Sequence, residues 1–319
     1  MSFTLRRSVR RVALRTAGWS AAAALAALAA VIAPSAHADH SAASSASSDA
    51  SAPAAPFRSH GAAGGADVRT VAGSAPMLPL FARTTSGQLR AYEPKGTGGF
   101  QPYADLGTGY STATALFRMP LSGNGGAQDL YLRMNNALYY TAERGTETKL
   151  IGTGWDQFNL LMSPGNMGGA AQPDVIARDT AGALWLYQGK TDGTFLTRVQ
   201  AGTGWSGMDV LAGYGDYTGD GKNDLLARTP AGTLYLYPGT GSVTANAILG
   251  TRVTVGTGWN AYKTLVSTGD NDGDGKPDLI ASDSAGALWL FKGTGKASAP
   301  FAARVQIGTS GWAGFNAFF

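Results

Sequence analysis

Cysteine is absent from the 319 residues, and the three histidines, His37, His40 and His60, all precede residue 61. The first absence excludes a disulfide framework and a cysteine nucleophile. The second removes a Ser-His-Asp triad and a histidine-ligated zinc site from the rest of the chain. Glutamate is scarce as well: Glu93, Glu143 and Glu147 stand alone, each in or beside a turn. A glycoside hydrolase needs converging carboxylates. Apart from the acidic loops described below, Asp105, Asp156, Asp179, Asp192, Asp209 and Asp283 share no setting that pairs an acid with a base. The chain is therefore read as non-enzymatic, with sugar hydrolysis the weakest of the alternatives. Positive charge is also missing where a nucleic-acid surface would need it. Five arginines (Arg6, Arg7, Arg10, Arg11 and Arg15) and no acid fall within residues 1–38, so the formal charge of +4 becomes −1 without them. No basic face remains to bind nucleic acid.

Those arginines precede an Ala/Leu-rich run from about residue 21 to 33 and the small-x-small tripeptide Ala36-His37-Ala38. That is the pattern of an export signal cleaved after Ala38. Arg10-Arg11 also fits a twin-arginine signal loosely, so the Sec and Tat routes both stay open. The expected product is secreted and extracellular, with no transmembrane segment and a monomeric state. Residues 39–66 are mostly Ala, Ser, Gly and Pro with Phe57 as the one large apolar side chain, which is too little to offset the entropy of ordering. They read as a disordered linker.

From residue 67 to 319 the chain repeats. Gly-Thr-Gly followed by an aromatic residue recurs at Gly107–Tyr110, Gly152–Trp155, Gly202–Trp205 and Gly256–Trp259, and Gly308–Trp312 is a fifth copy with one inserted residue. Between these markers lie runs such as Ala183-Leu184-Trp185-Leu186-Tyr187 that alternate with period two, each preceded by a further strand such as Asp174-Val175-Ile176-Ala177-Arg178 and joined to it by an Ala-Gly or Ser-Gly turn. Period-two alternation is the mark of half-buried strands. Three or four strands in a unit of about fifty residues, with no amphipathic helix, make a propeller blade. The fold class expected is all-β, a five-bladed β-propeller. Its ring would be closed by the C-terminal strand, because Gly314–Phe319 repeats the strand beginning at Gln157 yet has no following unit. Pairing beside Leu80–Arg83 would remove that exposed edge.

One stretch carries chemistry. Asp270-Asn271-Asp272-Gly273-Asp274-Gly275-Lys276-Pro277-Asp278 crowds four carboxylates into nine residues, just before the apolar Leu279-Ile280-Ala281. Oxygen ligands at alternate positions of a tight loop suit Ca²⁺: side chains at positions 1, 3 and 5, a glycine at 6 and a carbonyl at 7. The ligands expected are Asp270, Asp272 and Asp274, the carbonyl of Lys276, and Asp278 as the closing carboxylate in place of a distal glutamate. Blade four offers a weaker version through Asp216, Thr218, Asp220, the carbonyl of Lys222, and Asp224. Blade three keeps Asn166 and Asp174, and blade two keeps Asp129. One or two calcium ions are expected. This D-x-D-x-D-G-x-x-D phrase ahead of a strand resembles the FG-GAP or VCBS repeats of integrin-type β-propellers. The resemblance implies ions that tie strands together rather than catalyse.

The Gly-x-Gly-Trp-x-x-Phe phrase, seen in Ile151–Phe158 and, with its insertion, in Ile307–Phe315, is similar to the repeat of tachylectin-type five-bladed lectins. That likeness implies amino-sugar pockets between blades. The aromatic positions Tyr110, Trp155, Trp205, Trp259 and Trp312 are then candidate ligand contacts, since a flat apolar face covers a sugar ring. They serve equally as packing wedges. The function read from the sequence is a secreted, calcium-stabilised, lectin-like binding module for carbohydrate. The alternative is an interaction platform for a secreted or cell-surface protein.

Overall fold

The computed structural model of the chain describes residues 75–121, 129–142 and 147–319. The export signal over 1–38, the linker over 39–66 and Glu143 lie outside the described residues. Five sheets of four antiparallel strands form a β-propeller. Blade one is ordered β20 (Phe315–Phe318), β1 (Leu80–Thr84), β2 (Leu89–Tyr92), β3 (Ala104–Asp105) from the axis outward. Blade two holds β4 (Ala113–Arg118), β5 (Leu130–Met134), β6 (Ala137–Ala142) and β7 (Glu147–Gly152). Blade three holds β8 (Phe158–Gly165), β9 (Asp174–Asp179), β10 (Leu184–Gln188) and β11 (Val199–Gly202). Blade four holds β12 (Val210–Ala212), β13 (Leu225–Arg228), β14 (Leu234–Tyr237) and β15 (Val253–Gly256). Blade five holds β16 (Tyr262–Val266), β17 (Leu279–Asp283), β18 (Leu288–Phe291) and β19 (Val305–Gly308).

The ring closes as the repeat pattern requires. The last strand, β20, pairs antiparallel with β1, with Ala82 opposite Phe318 and Arg83 opposite Ala317. Phe81 and Phe319 exchange backbone hydrogen bonds of 2.8 and 3.0 Å. Both chain ends of the described fold thus share one sheet, and neither leaves a free inner edge.

Each Gly-Thr-Gly-aromatic phrase ends an outer strand and turns the chain inward through one turn of 3₁₀ helix. The second glycine takes a left-handed conformation, φ 82° at Gly154 and 81° at Gly258, which a side chain would resist. The aromatic residue then drops between neighbouring blades. Tyr110, Trp155, Trp205 and Trp259 are buried, and Trp312 is half-buried. Apolar side chains gather into five clusters, each spanning two adjacent blades; Trp155, for example, joins Phe117 and Tyr131 of blade two to Phe158 and Tyr187 of blade three. The hydrophobic core is therefore a set of wedges around an axis. Among the described residues, no helix is long and apolar enough to cross a membrane.

Candidate functional site

In blade four the chain winds round Asp216. Its Oδ1 accepts the backbone N–H groups of Thr218, Gly219 and Asp220, and its Oδ2 accepts that of Gly221 at 2.6 Å. Asp270 does the same in blade five, accepting from Gly273, Asp274 and Gly275. A carboxylate collecting successive amides fixes a tight loop and presents the following acids inward. Carboxylate oxygens of Asp216, Asp220 and Asp224 lie within 4.8 Å of one another, as do those of Asp270, Asp272 and Asp278.

Asp274 and Thr218, the other side-chain ligands expected, make contacts within their own loops. Asp274 accepts the Lys276 backbone N–H at 2.9 Å, and its other oxygen is 3.2 Å from the Lys276 ammonium. Thr218 donates its hydroxyl to Asp216 Oδ1 at 3.0 Å. Loop five also carries a cation of its own, since Lys292 Nζ lies 2.8 Å from Asp272 Oδ2.

The closing aspartate also gathers hydrogen bonds that the sequence pattern hides. Asp278 accepts the N–H of Asn271 at 2.9 Å on one oxygen and that of Gly293, from the next hairpin, at 2.8 Å on the other. Asp224 repeats this with Tyr217, Thr218 and Gly239. Where the other acids are gone the clamp persists: Asp174 accepts from Met167 and Gly168, and Asp129 from Leu121 and the Tyr140 hydroxyl. Blades two and three thus retain this residue for its amide clamp. Its periodic recurrence was visible, but the partners on the next hairpin, Gly293, Gly239 and Tyr140, were not.

Burial pushes the Asp278 carboxyl up to about 7, with Asp272 and Asp270 adding to the shift, while its amide donors pull the other way. Burial lifts Asp224 and Asp174 to about 6. Buried acids raised in this manner gain from a nearby cation. Hard oxygen donors grouped this closely fit a divalent ion such as Ca²⁺ or Mg²⁺, so these acidic clusters could hold a metal ion.

An acid-centred loop running into a strand is present twice in succession. Residues 216–281 match the FG-GAP-like repeat family. The FG-GAP-like match spans both acidic loops and the strands between them, β13 to β16. No curated protein matches the chain. A solved structure described as "The de novo evolutionary emergence of a symmetrical protein is shaped by folding constraints" is 17% identical, with a TM-score of 0.52 over 76% of this chain and 97% of its own. A nidogen/laminin complex is 10% identical, with a TM-score of 0.36 over 70% of this chain and 78% of its own. A Dos1 propeller is 12% identical, with a TM-score of 0.33 over 73% of this chain and 56% of its own. At such identities the first likeness speaks to fold alone, and the other two carry no argument.

The five repeat aromatics do not have equal surroundings. A phenylalanine from the outer hairpin covers the ring in three blades: Phe195 lies 5.8 Å from Trp155, Phe301 6.1 Å from Trp259 and Phe100 6.4 Å from Trp312. Each sits in the same isolated bridge opposite the segment after the third strand, and in blade four that place belongs to Leu249. The smaller side chain leaves a cleft of about 280 Å³, lined by Trp205, Met208, Tyr237, Leu249 and Arg252. Tyr237 is only half-buried there, although its counterparts Tyr92, Tyr187 and Phe291 are buried. Arg252 Nη1 donates to the Tyr237 hydroxyl at 3.2 Å, and its guanidinium lies 4.1 Å from the Tyr235 ring centroid.

Five of the remaining aspartates are occupied locally. Asp179 and Asp283 each accept the indole N–H of a nearby tryptophan at 2.9 Å. Asp209 pairs with Arg228, Asp105 holds Gln88, and Asp192 meets Thr194 and Lys149. The fold and its FG-GAP-like loops are of a binding type.

Proposed function

We propose that the protein is a secreted, non-catalytic carbohydrate-binding module, stabilised by one or two calcium ions in loops four and five. The observation that supports the sugar reading is the cleft beside Trp205. An indole edge, a half-exposed Tyr237 and an exposed arginine offer an apolar platform with polar donors at its rim, the pairing that a pyranose ring requires. The tachylectin-type resemblance implies amino-sugar pockets between blades, and this cleft lies between blades three and four. Tyr110, Trp155, Trp259 and Trp312 then act mainly as wedges, so one site rather than five is expected.

A glycan array tests this with the chain produced in calcium. Repeated binding to one sugar class supports a lectin, and uniform silence shifts the reading to a protein platform. The discriminating variant is Leu249→Phe, which restores the covering ring of the other blades. It should abolish sugar binding while leaving the melting temperature unchanged or slightly higher; retained binding would move the site away from Trp205.

A further inference from the structure

The axis of the ring holds a second cavity that the proposed sugar site does not use. It measures about 200 Å³ and is lined by Leu116, Leu161, Leu211, Leu265 and Phe318 of the five inner strands. Repeat symmetry makes it apolar, with a single charged side chain in its wall. Arg118 stands where the other blades carry Ser163, Gly213 and Ser267, and the two serines simply donate to the carbonyls of Asp174 and Asp278 at 2.7 Å. Packing at this level calls for nothing larger than serine.

The Arg118 side chain is 4% exposed. Its Nη1 donates to the Pro79 carbonyl, a bond that cancels no charge. The guanidinium carbon lies 5.9 Å from the ring centroids of both Phe81 and Tyr214. Tyr214 lines the same cavity. Burial lowers the arginine to about 10 and raises the Tyr214 phenol to about 12, so at neutral pH one is a cation and the other a hydrogen-bond donor. The acids whose fields reach them are Glu93, exposed on blade one, and Asp174, whose Oδ2 is committed to the amides of Met167 and Gly168.

We propose that this axial cavity binds a small monocarboxylate with an apolar body, its carboxylate held by Arg118 and the Tyr214 hydroxyl. A planar guanidinium matches a carboxylate geometrically, and a low-dielectric wall strengthens the pairing. Leucine and phenylalanine rings on the remaining sides suit an aryl or short alkyl group. Size agrees, since a cavity of about 150 Å³ accepts benzene.

The test is calorimetric titration of the full chain with benzoate and hexanoate, beside neutral benzamide and hexanol. Both acids should bind with dissociation constants of about a millimolar or tighter, and the neutral analogues should bind at least about tenfold more weakly. Arg118→Met should remove the preference for the acid, and Arg118→Lys should recover part of it. Should Arg118→Met fail to fold, Tyr214→Phe carries the test and should weaken benzoate severalfold. In the unaltered protein, methyl signals of Leu211, Leu265 and Val266 should shift on adding benzoate. No binding by either acid, equal binding of acid and neutral analogue, or an unchanged affinity in a folded Arg118→Met or Tyr214→Phe protein overturns the proposal. Sugar binding beside Trp205 is measured separately and is unaffected by either result.

Discussion

Four of the five joints between blades are fastened in one way and the fifth in another. At the end of the second strand of blades one to four stands an arginine, and its Nη1 donates to two carbonyls at the opening of the next blade. Arg83 reaches Tyr110 and Ala113, Arg133 reaches Trp155 and Phe158, Arg178 reaches Trp205 and Met208, and Arg228 reaches Trp259 and Tyr262. Blade five has Ser282 at that place. The joint that closes the ring therefore lacks its staple, and its wedge, Trp312, is the one left half-buried.

Other contacts secure this seam, and they come from the acidic loop. The segment from Ala75 to Leu78 runs along loop five, donating to the carbonyls of Gly275 and Thr268 and accepting from the Asp270 N–H at 2.9 Å. A Cβ at Gly269 would collide with the Pro76 carbonyl, so the close approach depends on glycine there. Buried Asn271, the second residue of the loop, accepts the N–H groups of Gly98 and Gly99 from blade one. The difference teaches that loop five is a clasp between the first and last blades. An ion held by Asp270, Asp272 and Asp278 would stiffen the one joint that arginine does not.

The most severe way to break this arrangement is to end the chain before Gly314. Without β20, blade one loses its inner strand and Phe81 its backbone partner, so the product should aggregate; size-exclusion chromatography showing a soluble monomer of unchanged stability would refute closure by that strand. Next comes Arg228→Met. Leaving two buried carbonyls and Asp209 without their donor should cost about 3 kcal/mol, read as a shift in the urea midpoint at constant slope.

Calcium removal should act through the seam. Chelator should lower the melting temperature, in proportion to how far the ion is saturated, and Ser282→Arg should blunt that drop by supplying the missing staple. A variant as sensitive to chelator as the parent would separate the ion from the joint. The pH response has a definite sign. Asp278 and Asp224 sit at about 7 and 6 in the fold, above the unfolded value near 4. The folded state therefore holds protons that the unfolded chain releases. In chelator, stability should be greatest near pH 4, fall as pH rises through 6 and 7, and lose this slope when calcium is added. A higher melting point at pH 8 than at pH 5 in chelator would contradict the burial of these groups. The smallest effect expected is Ser282→Arg in saturating calcium, a gain of about 1 kcal/mol, again from the urea midpoint.

Much of this was legible in the residues. The Gly-Thr-Gly-aromatic period set the number of blades, the alternating runs set the strands, and the orphan phrase Gly314–Phe319 announced closure. The arginines were on the page too, in Leu-Tyr-Leu-Arg133 and Val-Ile-Ala-Arg178, but their partners belong to the following repeat. Sequence spacing describes one blade at a time, whereas a staple is a relation between two.

The chain by itself determined the architecture and the acidic loops, because periodicity and ligand spacing are local properties that each repeat states for itself. Tertiary structure alone decided that Leu249 uncovers Trp205, that Arg118 faces the axis and that loop five clasps the seam. Each of those depends on which residue from another strand or blade arrives at a given point in space. Packing sets that, and no period within a single strand encodes it.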